Sequence, residues 1–174
     1  YNTERPVSAS SWPTLDPIHH PLETVRMEDT AQIDLSKLEL IDAPAGIFIS
    51  YHAYPYYPDF ISNDPVYKSY SDEFGQNSYV GYLTDLKSHY KKFPLLIAEV
   101  GVPSSWASAH YTSNGMNHGG FDEKGQGDTN MRLLSNIKNT GMAGGIQFAW
   151  IDEWFKNTWL TDIVDFGDKV LWHN

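Results

Sequence analysis

The sequence predicts an α/β fold built on a parallel sheet, and three observations carry that prediction. Dense apolar runs alternate with amphipathic segments of helical period, the order that gives parallel strands joined by right-handed crossovers. The runs GIFISYHAY (46–54), FPLLIAEVG (93–101) and AGGIQFAW (143–150) show little polar alternation, as strands covered on both faces do. Each run ends on polar or aromatic residues followed by an elaborate loop, and α/β proteins build their sites at the carboxyl ends of such strands.

The elements follow in order. PVSASSW (6–12) reads as a short strand leading into TLDPIHHPLE (14–23). Pro13, Pro17 and Pro21 keep that stretch from becoming helix or central strand, and His19-His20 read as a loop pair without catalytic meaning. IDLSKLELI (33–41) reads as a short helix. GIFISYHAY is the second strand, stopped by PYYPDF (55–60). Tyr79, Tyr82, Leu83, Leu86 and Tyr90 recur at three- and four-residue steps, predicting a helix to about Lys92, with Lys91 and Lys92 in the last turn, where cations suit the helix dipole. FPLLIAEVG is the third strand. Residues 101–127 are rich in Ser, Gly, His and aromatics and read as one long loop, a length that in compact domains is usually functional or disordered. A second helix is expected over Asp128–Thr140, with Asp128 as N-cap, Met131, Leu134 and Ile137 on one face, and Gly141 as the stop. AGGIQFAW closes the sheet. Without linkers or repeats, residues 1–174 read as a single domain.

The composition narrows the chemistry. The 174 residues suffice for one real core. The 6 Trp and 11 Tyr are heavy usage, suited to burial and to flat ligand platforms. A formal charge of −10 argues against nucleic acid, which wants basic patches, and leaves no polybasic segment for an anionic membrane. No apolar run approaches the ~18 residues of a membrane span. The absence of cysteine excludes disulfides and thiolate metal sites. His110, His118, Asp122 and Glu123 match no standard metal-ligand spacing, so no metal or other cofactor is expected. The DFGDK run at 165–169 has no glycine-rich or catalytic loop beside it and carries no kinase meaning.

The most informative stretch is FPLLIAEVGVPSS (93–105). A glutamate that closes an apolar strand faces a desolvation cost, so a partner satisfies it or the strand delivers it to a reaction. His52 and Tyr54, one strand over, are candidates to hydrogen-bond such a carboxylate and keep it ionised. Trp12, Trp106, Trp150 and Trp154 offer apolar faces, and Asp152 and Glu153 lie at the rim of the last strand.

A strand ending in His-x-Tyr-Pro, a strand ending in Ala-Glu-Val-Gly and a strand ending in Phe-Ala-Trp, separated by helices, resemble the last strands of a (β/α)₈ glycoside hydrolase. The family is the large clan of retaining enzymes with catalytic carboxylates at the ends of strands 4 and 7. YHAYPYYPDF (51–60) is similar to its sixth strand, IAEVGVPSS (97–105) to its seventh and GGIQFAWIDEWF (144–155) to its eighth, with VSASSWPTLDP (7–17) as the fifth. AEVGVPSS and YPYYP are also similar to the family acting on β-1,3-glucans. The resemblance implies a TIM-barrel-like fold of about four parallel βα units, an incomplete barrel, in a C-terminal portion of a longer chain.

It also implies a retaining O-glycoside hydrolase of a polysaccharide or oligosaccharide, with Glu99 as nucleophile. His52, Tyr54, Trp150, Asp152, Glu153, Trp12 and Trp106 then bind substrate. Retaining hydrolysis needs a second carboxyl ~5–5.5 Å from the nucleophile. The Asn-Glu pair that supplies it in this clan is absent here, so the fragment alone is expected to be inactive. Rival expectations are a non-catalytic carbohydrate-binding domain and a protein-interaction domain of a larger glycan-processing protein. Expected partners are a carbohydrate and either a second copy, through open barrel edges, or the missing N-terminal half. An extracellular or cell-envelope setting is favoured over others.

Overall fold

The computed structural model describes residues 4–23 and 31–153. Four strands form one parallel sheet: β1 (Val7–Ser11), β2 (Ile47–His52), β5 (Leu95–Val100) and β8 (Gly144–Gln147), in the order β1-β2-β5-β8. Ser8 is in register with Phe48, Tyr51 with Ile97, and Ile97 with Gly145. The fold is therefore α/β with neighbouring parallel strands in chain order.

Between β2 and β5 the chain forms α1 (Asp59–Asn63), α2 (Pro65–Lys68), a small hairpin of β3 (Ser71–Asp72) and β4 (Gly75–Gln76), and α3 (Ser78–His89). The Asp64 carboxylate caps α2 by accepting from Val66 N, with Pro65 in the first turn, where a missing N–H costs nothing. The Asn77 side chain caps α3 through Tyr79 N. That helix ends at His89, so its last turn carries Lys87 and His89 and not Lys91 or Lys92. Between β5 and β8 lie the hairpin β6 (Ser108–His110) and β7 (His118–Gly119), then α4 (Glu123–Asn139).

Segment 101–127 is thus not one structureless loop, and α4 starts five residues before Asp128. Its N-cap is Asp122, which accepts from Gly125 N at 2.7 Å. Leu133 and Ile137 are buried while Met131 is 64% exposed, so the helix turns a different face inward from the one the spacing predicts. Gly141, at φ 76, stops it as expected. The 33–41 segment yields only a 3₁₀ turn at Leu35–Lys37.

The core lies between the sheet and its helices and is rich in tyrosine. Tyr51, Tyr79, Tyr82 and Tyr90 are fully buried beside Ile49, Leu83, Leu86, Leu95 and Ile97. Buried hydroxyls need partners, and these have them. Tyr51 and Tyr90 pair at 3.0 Å, Leu35 N donates to the Tyr90 oxygen, and Tyr79 donates to Ala53 O at 2.9 Å. Tyr82 donates to Asp16 Oδ2 at 2.9 Å, and His20 Nε2 lies 3.0 Å from Asp16 Oδ1. His20 also stacks on Phe60 at 3.8 Å and reaches the Tyr67 hydroxyl at 3.2 Å. His20 is accordingly a core residue that fastens the proline-rich segment after β1 to the helices.

Candidate functional site

Glu99 owes its position to a bulge. Leu95 and Ile97 are wholly buried, and strict alternation would turn Glu99 to the same buried side. Instead β5 carries one extra residue. Tyr51 pairs with Ile97 but His52 pairs with Glu99, and on the other side Ile97 pairs with Gly145 but Val100 with Gln147. Both neighbours register the same irregularity around Ala98. Bulges re-aim side chains in this way. Val100 takes the buried position, and Glu99 lies beside His52 at the carboxyl end of the sheet.

Two groups hold the carboxylate there. The Tyr54 hydroxyl donates to Glu99 Oε2 at 2.8 Å, and His52 Nδ1 lies 3.3 Å from the same oxygen. Burial, and then the bond to Glu99, push the Tyr54 hydroxyl well above the ordinary tyrosine range, so it stays protonated and keeps donating. Just past the strand, Gly101 permits close contact with β8. A Cβ at Gly101 would lie 2.8 Å from Phe148 O and would strike Gln147 Nε2. Phe148 N donates to Val100 O at 3.0 Å across the same approach.

Glu99 opens into a cleft of about 360 Å³, lined with Trp12, Thr14, His52, Tyr54 and Tyr57. A second cleft of about 560 Å³ adjoins it, sharing Tyr54 and Tyr57. Its further walls include Tyr56, His118, Gln126, Phe148, Asp152 and Glu153. The His118 ring stacks on Tyr56 at 4.4 Å, nearly parallel. Burial, with His110 close by, lowers the His118 imidazole to about 4, so the ring is neutral at physiological pH.

The structure thus brings Glu99, His52, Tyr54 and Trp12 together, with Asp152 and Glu153 in the adjoining cleft. Two expected platforms are elsewhere. Trp150 is 95% exposed and lines neither cleft, while Phe148 faces the larger one. The strand has already ended at Gln147, so the position of Trp150 is no longer fixed by the ladder. Trp106 is fully exposed, outside both clefts. Trp154 and the 165–169 run lie outside the described residues. His118 and Tyr56 were not singled out as site residues from the sequence. The only signal was aromatic and histidine richness, which does not say which rings meet. Among the described residues no group of His, Asp or Glu is placed to hold a metal ion, and no helix is long and apolar enough to cross a membrane. No protein-family model, curated protein or solved structure matches the chain.

Proposed function

We propose that this chain is the glycan-handling portion of a retaining glycoside hydrolase, with Glu99 as the nucleophile and its acid/base partner outside the described residues. The observation that carries the reading is the setting of Glu99. It ends a parallel strand, is bulged into a cleft, and has one oxygen held by Tyr54 and His52. A positioned, ionised carboxylate is what covalent glycosyl transfer requires. Trp12, half exposed on the lip, offers a flat apolar face to the C–H side of a sugar ring. The parallel β1-β2-β5-β8 order is compatible with four consecutive strands of a (β/α)₈ barrel.

The test is covalent labelling. An aryl glycoside with a good leaving group needs little acid assistance, so it should glycosylate Glu99 slowly, giving a mass adduct on the peptide containing Glu99. The Glu99→Gln variant should give none. Natural glycosides should not turn over, since general-acid help is worth roughly 10²–10⁴-fold. Brisk turnover of a natural polysaccharide that survives Glu99→Gln rejects the assignment.

A second reading is a binding domain without chemistry. It is favoured by one observation: Glu99 is the only carboxylate among the described residues lining its cleft. Oligosaccharide binding without any covalent adduct selects this reading. No binding of sugar at all leaves the protein-interaction role, for which exposed Trp106 and Trp150 supply apolar surface.

A further inference from the structure

We infer that the larger cleft is a second sugar-binding subsite, continuous with the Glu99 cleft, which takes an uncharged sugar unit through His118, Asp152 and Glu153 and rejects an anionic one. The inference rests on the glycan-handling reading above and specifies the class of glycan.

Continuity comes first. The two clefts share Tyr54 and Tyr57 as common walls, so a chain lying over Glu99 extends past these rings into the space beside His118. Each cleft is within the ~300–1,000 Å³ usual for small-ligand sites. Together they suit an oligosaccharide better than a single ring.

The chemistry of the larger cleft comes second. Its mouth presents Asp152 and Glu153, and Glu99 lies across the shared wall. No Lys or Arg occurs among the described residues lining either cleft. The chain as a whole carries −10. A uronate or sulfate entering here meets like charges without a compensating cation, and like-charge juxtaposition is a device for rejecting wrong partners. Hydroxyl groups fit well, because carboxylates accept from them and Gln126 adds an amide that donates and accepts.

His118 completes the set. Stacking on Tyr56 fixes its ring in the cleft wall. Its imidazole, neutral at physiological pH, brings one donor and one acceptor and adds no positive charge that would welcome an anion.

The experiment compares β-1,3-linked gluco-oligosaccharides of two to six units with the same oligosaccharides oxidised at C6 to uronates, by isothermal titration calorimetry on the full chain. The wild type should bind the neutral series at least about tenfold more tightly, the scale of one like-charge contact near a surface. The preference should shrink in Asp152→Asn/Glu153→Gln and at high salt, which screens exposed charges. His118→Ala should erase the gain in affinity on lengthening the oligosaccharide, and His118→Gln, which keeps a donor and an acceptor, should restore much of it. If His118→Ala does not fold, the Gln variant and the neutral-to-anionic ratio still decide. Equal or tighter binding of the oxidised series, or an unchanged length dependence in His118→Ala, overturns the inference and leaves Glu99 as the nucleophile untouched. Failure of every oligosaccharide to bind the wild type overturns the glycan-handling reading itself.

Discussion

At the scale of single residues, the contact between Tyr54 and Glu99 is the most consequential. Removing one positioned donor from a reacting group typically costs about 10²–10³ in rate. Tyr54→Phe should therefore slow aryl-glycoside labelling of Glu99 by about that factor. Thermal stability should change little, because the lost neutral hydrogen bond is worth only about 1 kcal/mol. Labelling at the wild-type rate in Tyr54→Phe would show that the contact has no part in the chemistry. Gly101→Ala is the second test. Its new Cβ would press on Phe148 O, a backbone atom that cannot rotate aside. Overpacking of this kind costs about 1–3 kcal/mol, so chemical denaturation should show a clear loss of stability with labelling impaired too; wild-type stability would mean that the β5–β8 contact is looser than described. Both Glu99 and Gly101 were legible in the sequence, because a charge closing an apolar strand is costly and a glycine beside it has few other uses. The bulge was not legible. Ala98 looks like any strand residue, and only the registers of two neighbouring strands reveal that it is the extra one.

Elements show the same division. The apolar runs gave β2, β5 and β8 within a few residues, and tyrosine periodicity gave α3. The start of α4 was hidden because Glu123–Gly127 holds two glycines and no apolar residue, so the cap at Asp122 was the only signal. Likewise α1 and α2 were hidden by prolines that look like breakers but sit at helix starts. Two predictions belong at this scale. Gly81 lies where α3 meets α2, and a Cβ there would fall 2.7 Å from Tyr67 Cα. Alanine is the better helix former by about 1 kcal/mol, yet the clash is with backbone, so Gly81→Ala should lower the melting temperature; a rise would show that α2 can give way. Asp72 ties the β3–β4 hairpin to α4. It accepts two bonds from Arg132, at 2.7 and 2.8 Å, and one each from Asn77, Asn136 and Phe74 N. Burial alone would raise its carboxyl, but these donors hold it well below the ordinary aspartate value. Asp72→Ala should cost about 3 kcal/mol at neutral pH. A carboxyl depressed on folding stabilises above its unfolded value of about 3.9 and loses that contribution as pH falls towards its folded value. The stability gap between wild type and Asp72→Ala, measured by denaturant titration, should therefore narrow as the solution is acidified below that point; a gap that stays constant would show that Asp72 acts through packing and not charge.

For the whole molecule, the two faces of the sheet differ. Gly145 faces α4, since a Cβ there would meet Ile137 and Leu134, so Ile146 points the opposite way and is 52% exposed. Leu96 lies on that same opposite face, where its Cδ1 borders Gly144, and the Ser8 and Ser50 hydroxyls meet there at 3.0 Å. This surface is apolar around Leu96 and Ile146, with no helix among the described elements laid over it. Among the described strands, β1 and β8 each pair on one side only. Open strand edges present unpaired donors and acceptors to other chains, and a contiguous apolar patch favours association. We therefore expect the isolated chain to self-associate through this face and its edges, with a sedimentation coefficient that rises with concentration over the micromolar to millimolar range where exposed apolar surface and open edges act. Ile146→Lys places a charge on both the edge strand and the open face, a natural device against edge pairing, and should shift the equilibrium to monomer while leaving the far-ultraviolet circular dichroism unchanged. A wild-type monomer at all concentrations that also fails to bind an apolar dye would mean that this face is already covered.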